Sequence, residues 1–155
     1  MITAQRFHDF SCGHRVYGHE SCCAHLHGHN YRIHFECTPD AESVAINKTR
    51  PGEDAMGLDS VGRVIDFSVI KELLCEWLET NWDHKFLMWF DDPWADALWQ
   101  IDRHGVVIVP FNPTAENMAL YLLNIVGPRE LMGTGVVLTK VTIEETRKCS
   151  ATATL

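Results

Sequence analysis

The sequence predicts an α+β fold built on an antiparallel sheet, and three observations support this. Two segments, 29–37 and 136–145, alternate between apolar and polar residues with the period of a strand. Two others, 69–78 and 118–126, repeat their apolar residues at the spacing of an amphipathic helix. The order is strand, strand, helix, helix, strand, which is typical of α+β proteins rather than of a parallel α/β sheet.

The first half of the chain is expected to contribute two strands and a loop. A first strand is predicted over 2–10, and a second over 29–37 alternates strictly. One face of the second strand is expected to carry Tyr31, Ile33, Phe35 and Cys37. From 38 to 62 the periodicity disappears among prolines, glycines and acids, which predicts a long loop. A short strand over 63–65 is expected to close this loop.

Two amphipathic helices are expected in the second half of the chain. Asp66 or Ser68 can cap the first, which runs to about Thr80 with its apolar residues on one face. Thr114 can cap the second, and the Gly-Pro pair at 127–128 is expected to end it. Both helices can therefore cover one face of the sheet.

The remaining segments are either rich in aromatic residues or strand-like. The aromatic residues of 82–99 are expected to pack a subsidiary helix and a subunit contact. A short strand is predicted over 106–109 and a long strand over 136–145. Strict alternation of the last strand places Glu145 on its apolar face and Glu144 on the opposite face. The residues expected to share the face of Glu145 are Val137, Thr139, Val141 and Ile143.

Length and charge limit the functions that the chain can have. Its 155 residues correspond to about one domain. With 13 Lys and Arg against 21 Asp and Glu, the net charge is −8. This balance argues against nucleic-acid binding, which needs a basic face, but a few local cations could still bind an anionic small substrate.

The same composition indicates a cytoplasmic protein. No stretch approaches the roughly 20 apolar residues that a membrane span needs, and residues 1–10 lack the apolar centre of a signal peptide. The six cysteines are irregularly spaced, so we expect free thiols rather than a disulfide framework. Neither a membrane nor a nucleic acid is expected as a partner.

A cluster of histidines predicts a metal site, since five of the nine histidines lie between His14 and His29. His27 and His29 flank a glycine at the start of a strand, where residues i and i+2 project from the same face. His14, at the end of the first strand, is the expected third ligand. Three imidazoles with an open fourth position are typical of catalytic Zn²⁺. The alternative is a structural zinc site that uses Cys12, Cys22 or Cys23, but the paired half-sites of such centres are missing.

Cys23 is the candidate general base, because it lies four residues before His27 on the loop that leads into the metal strand. A thiol beside Zn²⁺ and an imidazole is expected to have its pKa lowered from about 8.5 towards neutrality. The alternative is that this cysteine is only a small buried apolar residue. Its neighbour Cys22 competes for the same role, and spacing alone does not separate the two.

Two further motifs contain carboxylates. Asp83 precedes His84 and could orient its ring or share a proton relay, although a histidine at a helix C-terminus needs no functional explanation. Glu145 is predicted on an apolar face, where an unpaired carboxylate costs several kcal/mol. Two adjacent N–H donors of a heterocycle would satisfy it in a bidentate contact. Alternatively, the side chain turns to water at the strand end.

Five segments together carry a resemblance to a known family. They are 23–31, which contains Cys-x₃-His-Gly-His, and 64–67, 83–84, 112–117 and 144–146. Their identity and order resemble the 6-pyruvoyl-tetrahydropterin synthase family, which includes the 6-carboxy-tetrahydropterin synthases of queuosine biosynthesis. The resemblance extends from about Phe7 to Thr146, nearly the whole chain.

The resemblance implies a T-fold, in which an antiparallel sheet carries two helices on one face. It implies one domain over 1–155, with 38–62 as a long loop insertion and 86–111 also longer than in compact bacterial members. Three subunits of such enzymes close a barrel and two trimers stack into a hexamer, so a homo-oligomer with active sites between subunits is expected.

The resemblance also implies roles for individual residues. Zinc is expected on His14, His27 and His29. The implied catalytic residues are Cys23 as general base and Asp83 with His84 as a proton relay. The implied substrate-binding residues are Glu145, as the anchor of the pterin amino-pyrimidine edge, and Thr114 and Glu116, with Glu116 reaching the pocket from a neighbouring subunit.

The expected activity is that of a zinc-dependent 6-carboxy-tetrahydropterin synthase. Such a lyase converts 7,8-dihydroneopterin triphosphate to 6-carboxytetrahydropterin, acetaldehyde and triphosphate. Three residues separate Cys23 from His27, a spacing that resembles the carboxy-forming group. The alternatives are a 6-pyruvoyl-tetrahydropterin synthase and, in another class, a non-catalytic zinc-binding interaction module. A module needs neither a thiol nor a core-facing glutamate, which favours an enzyme.

Overall fold

A six-stranded sheet forms the frame of the protein. The computed structural model describes residues 2–47 and 56–155. The strands are β1 (Ala4–His14), β2 (His27–Pro39), β3 (Phe86–Trp89), β4 (Val106–Val109), β5 (Val136–Thr146) and β6 (Cys149–Thr154). They lie in the order β4-β3-β1-β2-β5-β6. The neighbours β1, β2, β5 and β6 are antiparallel, as expected, whereas β3 and β4 extend the sheet in parallel orientation.

Within the described residues, four α-helical regions accompany the sheet. Helix α1 spans Ala41–Asn47 and α3 spans Ala95–Ile101. Helix α2 is continuous over Phe67–Ile70, Lys71–Cys75 and Glu76–Asn81, and α4 over Ala115–Tyr121, Leu122–Val126 and Gly127–Glu130. The middle segment of each long helix has π-type hydrogen bonds. No helix in the two described ranges is long and apolar enough to cross a membrane.

The two long helices begin where their capping residues predict. The side chain of Asp66 accepts a hydrogen bond from the N–H of Ser68, so Asp66 is the cap of α2. Thr114 accepts one from the N–H of Asn117 and caps α4. The predicted end of α4 is wrong, because Gly127 and Pro128 lie inside the helix. Pro128 occupies the first turn after the π-type segment, where its missing N–H costs little.

The core lies between one face of the sheet and the two long helices. The alternation predicted for β2 is confirmed, since the side chains of one face are at most 1% exposed: Tyr31, Ile33, Phe35 and Cys37. Apolar residues of α2 and α4 pack on this face, among them Leu74, Leu78, Met118 and Leu122. Burial on one face is the main stabilising term, and it fixes the register of the strands that carry the histidines.

The segment 38–62 is not a continuous loop, and this prediction is wrong in part. Strand β2 continues to Pro39, and α1 follows it. Residues 48–55 lie outside the described residues. The strand predicted over 63–65 is also absent, because the chain turns there: the N–H of Arg63 donates to the carboxylate of Asp59, and its carbonyl accepts from the Asp59 N–H.

Alternation in β5 changes phase at a bulge in its pairing with β2. After the bulge Val141 and Ile143 are fully buried, as predicted, and Glu145 follows in the same phase. Before it Leu138 is buried and Val137 is 39% exposed, so the face predicted for Val137 is wrong. Strand β6, which the sequence pattern does not predict, pairs with β5 at the edge of the sheet.

Candidate metal centre and active site

Pairing of β1 with β2 brings the three histidines together. His14 of β1 lies opposite His27 of β2. Cys12, two residues before His14, lies opposite His29, two residues after His27. One ring nitrogen from each histidine falls within 4.8 Å of the other two. His14 is 1% exposed, whereas His27 and His29 are half-buried.

Hydrogen bonds fix the ring orientation of two of these histidines. The Nδ1 of His14 lies 2.6 Å from the carbonyl oxygen of Pro113, and the Nδ1 of His27 lies 2.8 Å from that of His25. A carbonyl only accepts, so each Nδ1 carries a proton and donates it. In the neutral rings each Nε2 then has a free lone pair, and the two Nε2 atoms are 3.0 Å apart. Facing lone pairs at this distance repel each other unless a cation lies between them.

Burial keeps two of the three rings in the form that binds metals. It lowers the pKa of His14 to about 4, so this ring is neutral at pH 7. Burial also lowers the pKa of His29, although the carboxylate of Glu145 opposes the shift. The Nε2 of His29 is buried without a hydrogen bond, with the nearest Glu145 oxygen at 3.4 Å. Three converging imidazole nitrogens, two of them oriented by carbonyls, can hold a metal ion.

A cavity of about 300 Å³ opens beside the cluster. The residues that line it and bear on the chemistry are His14, Cys23, Thr114, Glu116, Glu145 and Cys149. Strands β1, β5 and β6, the start of α4 and the loop after β1 place them there. Thr114 and Glu116 thus line the cavity within one chain, and a contribution of Glu116 from a neighbouring subunit stays a prediction.

Cys23 lies in a single 3-10 turn, Cys22–Ala24, whose position is fixed by its backbone. Its carbonyl accepts a hydrogen bond from the N–H of Val16 at 2.9 Å. Cys23 lines the cavity, whereas Cys22 is exposed. In the chain without metal, burial and the neighbouring Cys22 and Glu145 raise the pKa of the Cys23 thiol. This shift is opposite to the one expected beside Zn²⁺.

Asp83 and His84 lie elsewhere, beside β1 at Ser11. The backbone of Ser11 donates to the carboxylate of Asp83 at 2.9 Å and accepts from the N–H of His84 at 2.7 Å. The Nδ1 of His84 lies 2.9 Å from Asp83, so the carboxylate orients the ring. Burial opposes ionisation, but the bonds from Ser11 and His84 hold the pKa of Asp83 below its usual value. His84 has a φ of 54° and a side chain that is 83% exposed.

The pair is therefore separate from the cavity in one chain. Asp83 and His84 line an open groove of about 700 Å³, together with Ser11, Asn30 and Arg32, whose positions in their strands face away from the core. Neither Asp83 nor His84 lines the cavity that contains Cys23, but His84 lines a further open groove of about 560 Å³ together with His27 and His29.

Two features of the site have no signal in the sequence. The hydroxyl of Tyr31, predicted only as a core residue, lies 3.3 Å from Nε2 of His14. The carbonyl of Pro113 orients His14, and a backbone acceptor 99 residues away leaves no pattern in the sequence. The side chains of His25 and His34 take no part: the first is exposed and the second binds Glu144 on the outward face.

Comparison with known proteins agrees with this geometry. The family model described as 6-pyruvoyl tetrahydropterin synthase matches residues 3–154. The 6-carboxy-5,6,7,8-tetrahydropterin synthase of Rickettsia typhi is 34% identical over 96% of this chain and 97% of its own. The protein of the same name from Haemophilus influenzae is 26% identical over 80% and 81%.

Solved structures share the fold. An uncharacterized protein from Wolinella succinogenes superposes with a TM-score of 0.76 at 23% identity, covering 99% of this chain and 97% of that chain. The 6-pyruvoyl tetrahydropterin synthase of Caenorhabditis elegans gives a TM-score of 0.58 at 23% identity, with 99% and 95% covered. The T-fold expected from the resemblance is confirmed. The chain belongs to the 6-pyruvoyl tetrahydropterin synthase family.

Proposed function

We propose that the protein is a zinc-dependent 6-carboxy-5,6,7,8-tetrahydropterin synthase. Its substrates would be 7,8-dihydroneopterin triphosphate and one water molecule, and its products 6-carboxytetrahydropterin, acetaldehyde and triphosphate. The observation that carries the proposal is the cluster of His14, His27 and His29, which borders a cavity that also holds a thiol and a carboxylate. The similarity to the enzyme of Rickettsia typhi over nearly the full length supports the choice of reaction.

The residues of the cavity have complementary tasks in this reaction. Glu145 accepts two N–H bonds from the amino-pyrimidine edge of the pterin and fixes the position of its side chain. Cys23 removes the proton at C1′ of that side chain. Thr114 and Glu116 line the same cavity and contact the bound pterin. A zinc ion on the three histidines would supply Lewis-acid polarisation of the substrate side-chain oxygens.

The proton relay is assigned to a second copy of the chain. Asp83 and His84 form an oriented pair, but within one chain they line a different groove from Cys23. A neighbouring subunit that places its exposed His84 at the cavity would complete the site. This supports a homo-oligomer, a trimer or hexamer, in which each chain of 155 residues is one catalytic domain. Six free cysteines suit the reducing cytoplasm, which is the proposed location.

The experiment is to incubate the purified zinc-loaded protein with dihydroneopterin triphosphate and to identify the pterin by mass spectrometry. We expect 6-carboxytetrahydropterin with one equivalent of acetaldehyde. A 6-pyruvoyl product would assign the chain to the other activity of the family. Absence of any product from zinc-loaded protein would reject catalysis and leave a zinc-binding module. The Cys23→Ala protein serves as the blank for non-enzymatic breakdown.

A further inference from the structure

Two buried side chains and a partly exposed tryptophan, all outside the cavity, form a compact cluster next to a metal-cluster histidine. Arg15 follows His14 directly, and its Nε–H donates to the Oδ2 of Asp92 at 2.7 Å. The two side chains are 9% and 0% exposed. The ring of Trp94 covers the guanidinium, with its centroid 3.4 Å from the central carbon. We call Arg15, Asp92 and Trp94 the Arg15 cluster.

Asp92 is itself held firmly by the loop between β3 and α3. Its other carboxylate oxygen, Oδ1, accepts the backbone N–H of Trp94 at 2.9 Å. Its own N–H donates to the carbonyl of Trp89 at 3.0 Å. Asp92 thus joins the backbone of this loop to the side chain of Arg15, and the loop belongs to the long segment 86–111. The conformation of the loop therefore sets the position of the Arg15 side chain.

Residues 15–17 in turn contact both loops that build the cavity. The N–H of Val16 donates to the carbonyl of Cys23 at 2.9 Å. The backbone of Tyr17 exchanges two hydrogen bonds with the side chain of Asn112, at 3.1 and 2.8 Å. Fixing Arg15 therefore fixes the turn that carries the thiol and the loop that leads to Thr114.

We propose that Asp92 and Trp94 are positioning residues that act on Cys23 through Arg15 and Val16. The inference rests on the proposed function, because it assigns them to the step in which Cys23 moves a proton. A buried ion pair gives little net stability compared with apolar residues of similar size. Here the ion pair fixes the orientation of the Arg15 side chain, since the guanidinium donates to Asp92 on one side and packs against the ring of Trp94 on another.

Two variants separate positioning from stability. Asp92→Asn keeps an acceptor for the N–H of Trp94 but removes the charge that faces Arg15. The double variant Arg15→Met with Asp92→Asn also removes the buried guanidinium that the single change leaves unpaired. As the matched control, Asp102→Asn alters another carboxylate of the same segment, which accepts the N–H of Gly105 and does not contact Arg15.

We expect both test variants to retain zinc and to lose about ten- to hundredfold in kcat, with KM within about twofold, since small misplacements of a reacting group have effects of this size. The double variant should melt closer to the wild type than Asp92→Asn does, yet remain equally slow. Asp102→Asn should match the wild type in kcat. Recovery of kcat together with the melting temperature in the double variant would overturn the inference and reduce the cluster to a stabilising contact.

Amide hydrogen exchange tests the same inference without substrate. The N–H groups of Val16 and Tyr17 should exchange about tenfold faster in the double variant than in the wild type, because local opening sets these rates. Unchanged exchange at both amides would contradict the inference even if kcat falls. If the wild type gives no pterin product, the proposed function fails, while the exchange rates still decide whether the Arg15 cluster orders residues 15–17.

Discussion

The cavity beside the histidines and the corner at Ser11 carry the two groups of residues that the proposed function brings together, and they are built differently. In the cavity, ring nitrogens are oriented by backbone carbonyls and His14 is 1% exposed. At the corner, the carboxylate of Asp83 orients the ring of His84, and this side chain is 83% exposed. The histidine cluster is therefore formed within one chain, whereas the ring of His84 lies at the surface.

The difference shows which part of the site depends on folding and which on assembly. Burial lowers the pKa of His14 and prepares it for a metal without help from another chain. The exposed ring of His84 can act on a substrate only if the substrate binds beside it or a neighbouring subunit places its cavity there. Four predictions test this division, beginning with the largest effect.

Removal of a cluster histidine should abolish metal binding. Purified protein is expected to contain about one zinc per chain, and His27→Ala or His29→Ala should lose most of it together with activity, because two imidazoles hold zinc poorly. Elemental analysis of the purified variants measures the effect. His25→Ala is the matched control, because its backbone carbonyl still binds His27 after the side chain is removed. Full zinc content in both cluster variants would show that the metal lies elsewhere.

Cys23→Ala should retain the fold and the zinc but lose about 10²–10⁴ in kcat, the usual cost of removing a general base. Cys22→Ala should be almost silent, since that side chain is exposed and lies outside the cavity lining. Steady-state kinetics on the two proteins decide between the thiols. The reverse result would assign the base to Cys22.

Mixing inactive variants should reveal whether the two groups of residues come from different chains. Cys23→Ala and His84→Ala are each expected to lose about 10²–10⁴ in kcat, and co-assembly of the two should restore part of the activity. Recovery arises because a mixed oligomer contains sites with an intact cavity from one chain and an intact His84 from the other. Cys23→Ala mixed with Glu145→Gln is the control, since both changes affect the same cavity. No recovery in the first mixture would place His84 in its own chain's site.

Sequence reasoning works best where burial alternates along a strand without interruption. The alternation of β2 is unbroken from His27 to Cys37, so its core face and the shared side of His27 and His29 follow directly from the period of two. In β5 the same reasoning failed before the bulge, because an inserted residue reverses the face and leaves no signature in the local pattern. Glu145 was placed in the right phase only because it follows the bulge.

Other features depend on contacts that are distant in the sequence. Asp92 and Arg15 are 77 residues apart, and the aromatic segment around Asp92 was interpreted as a helix and a subunit contact. Helix α3 is present, and Trp94 covers Arg15. The small, polar residues of β6 resemble a tail in isolation, and pairing with the edge of β5 makes them a strand. Tertiary pairing outweighs local propensity in such segments.

The smallest expected effect concerns Glu145, which joins the metal cluster to the substrate cavity. Its carboxylate lies 3.4 Å from Nε2 of His29 and lines the cavity, whereas Glu144 binds His34 on the outward face at 2.6 Å. Hydrogen bonds to a charged group contribute roughly 1.5–3 kcal/mol, so Glu145→Gln should weaken binding of an inert pterin by about ten- to a hundredfold. Glutamine preserves the shape but presents an N–H where an acceptor is needed.

Calorimetry on zinc-loaded Glu145→Gln and Glu144→Gln measures this difference, and Glu144→Gln should change pterin affinity little. Zinc content must be determined on the same samples, because Glu145 is close enough to the cluster to affect it. Loss of zinc in Glu145→Gln would make this carboxylate part of the metal centre rather than the pterin anchor. Equal pterin affinities with full zinc content in both variants would remove Glu145 from substrate binding, and the cavity would then need another acceptor, for which Glu116 is the candidate because this carboxylate residue also lines the cavity.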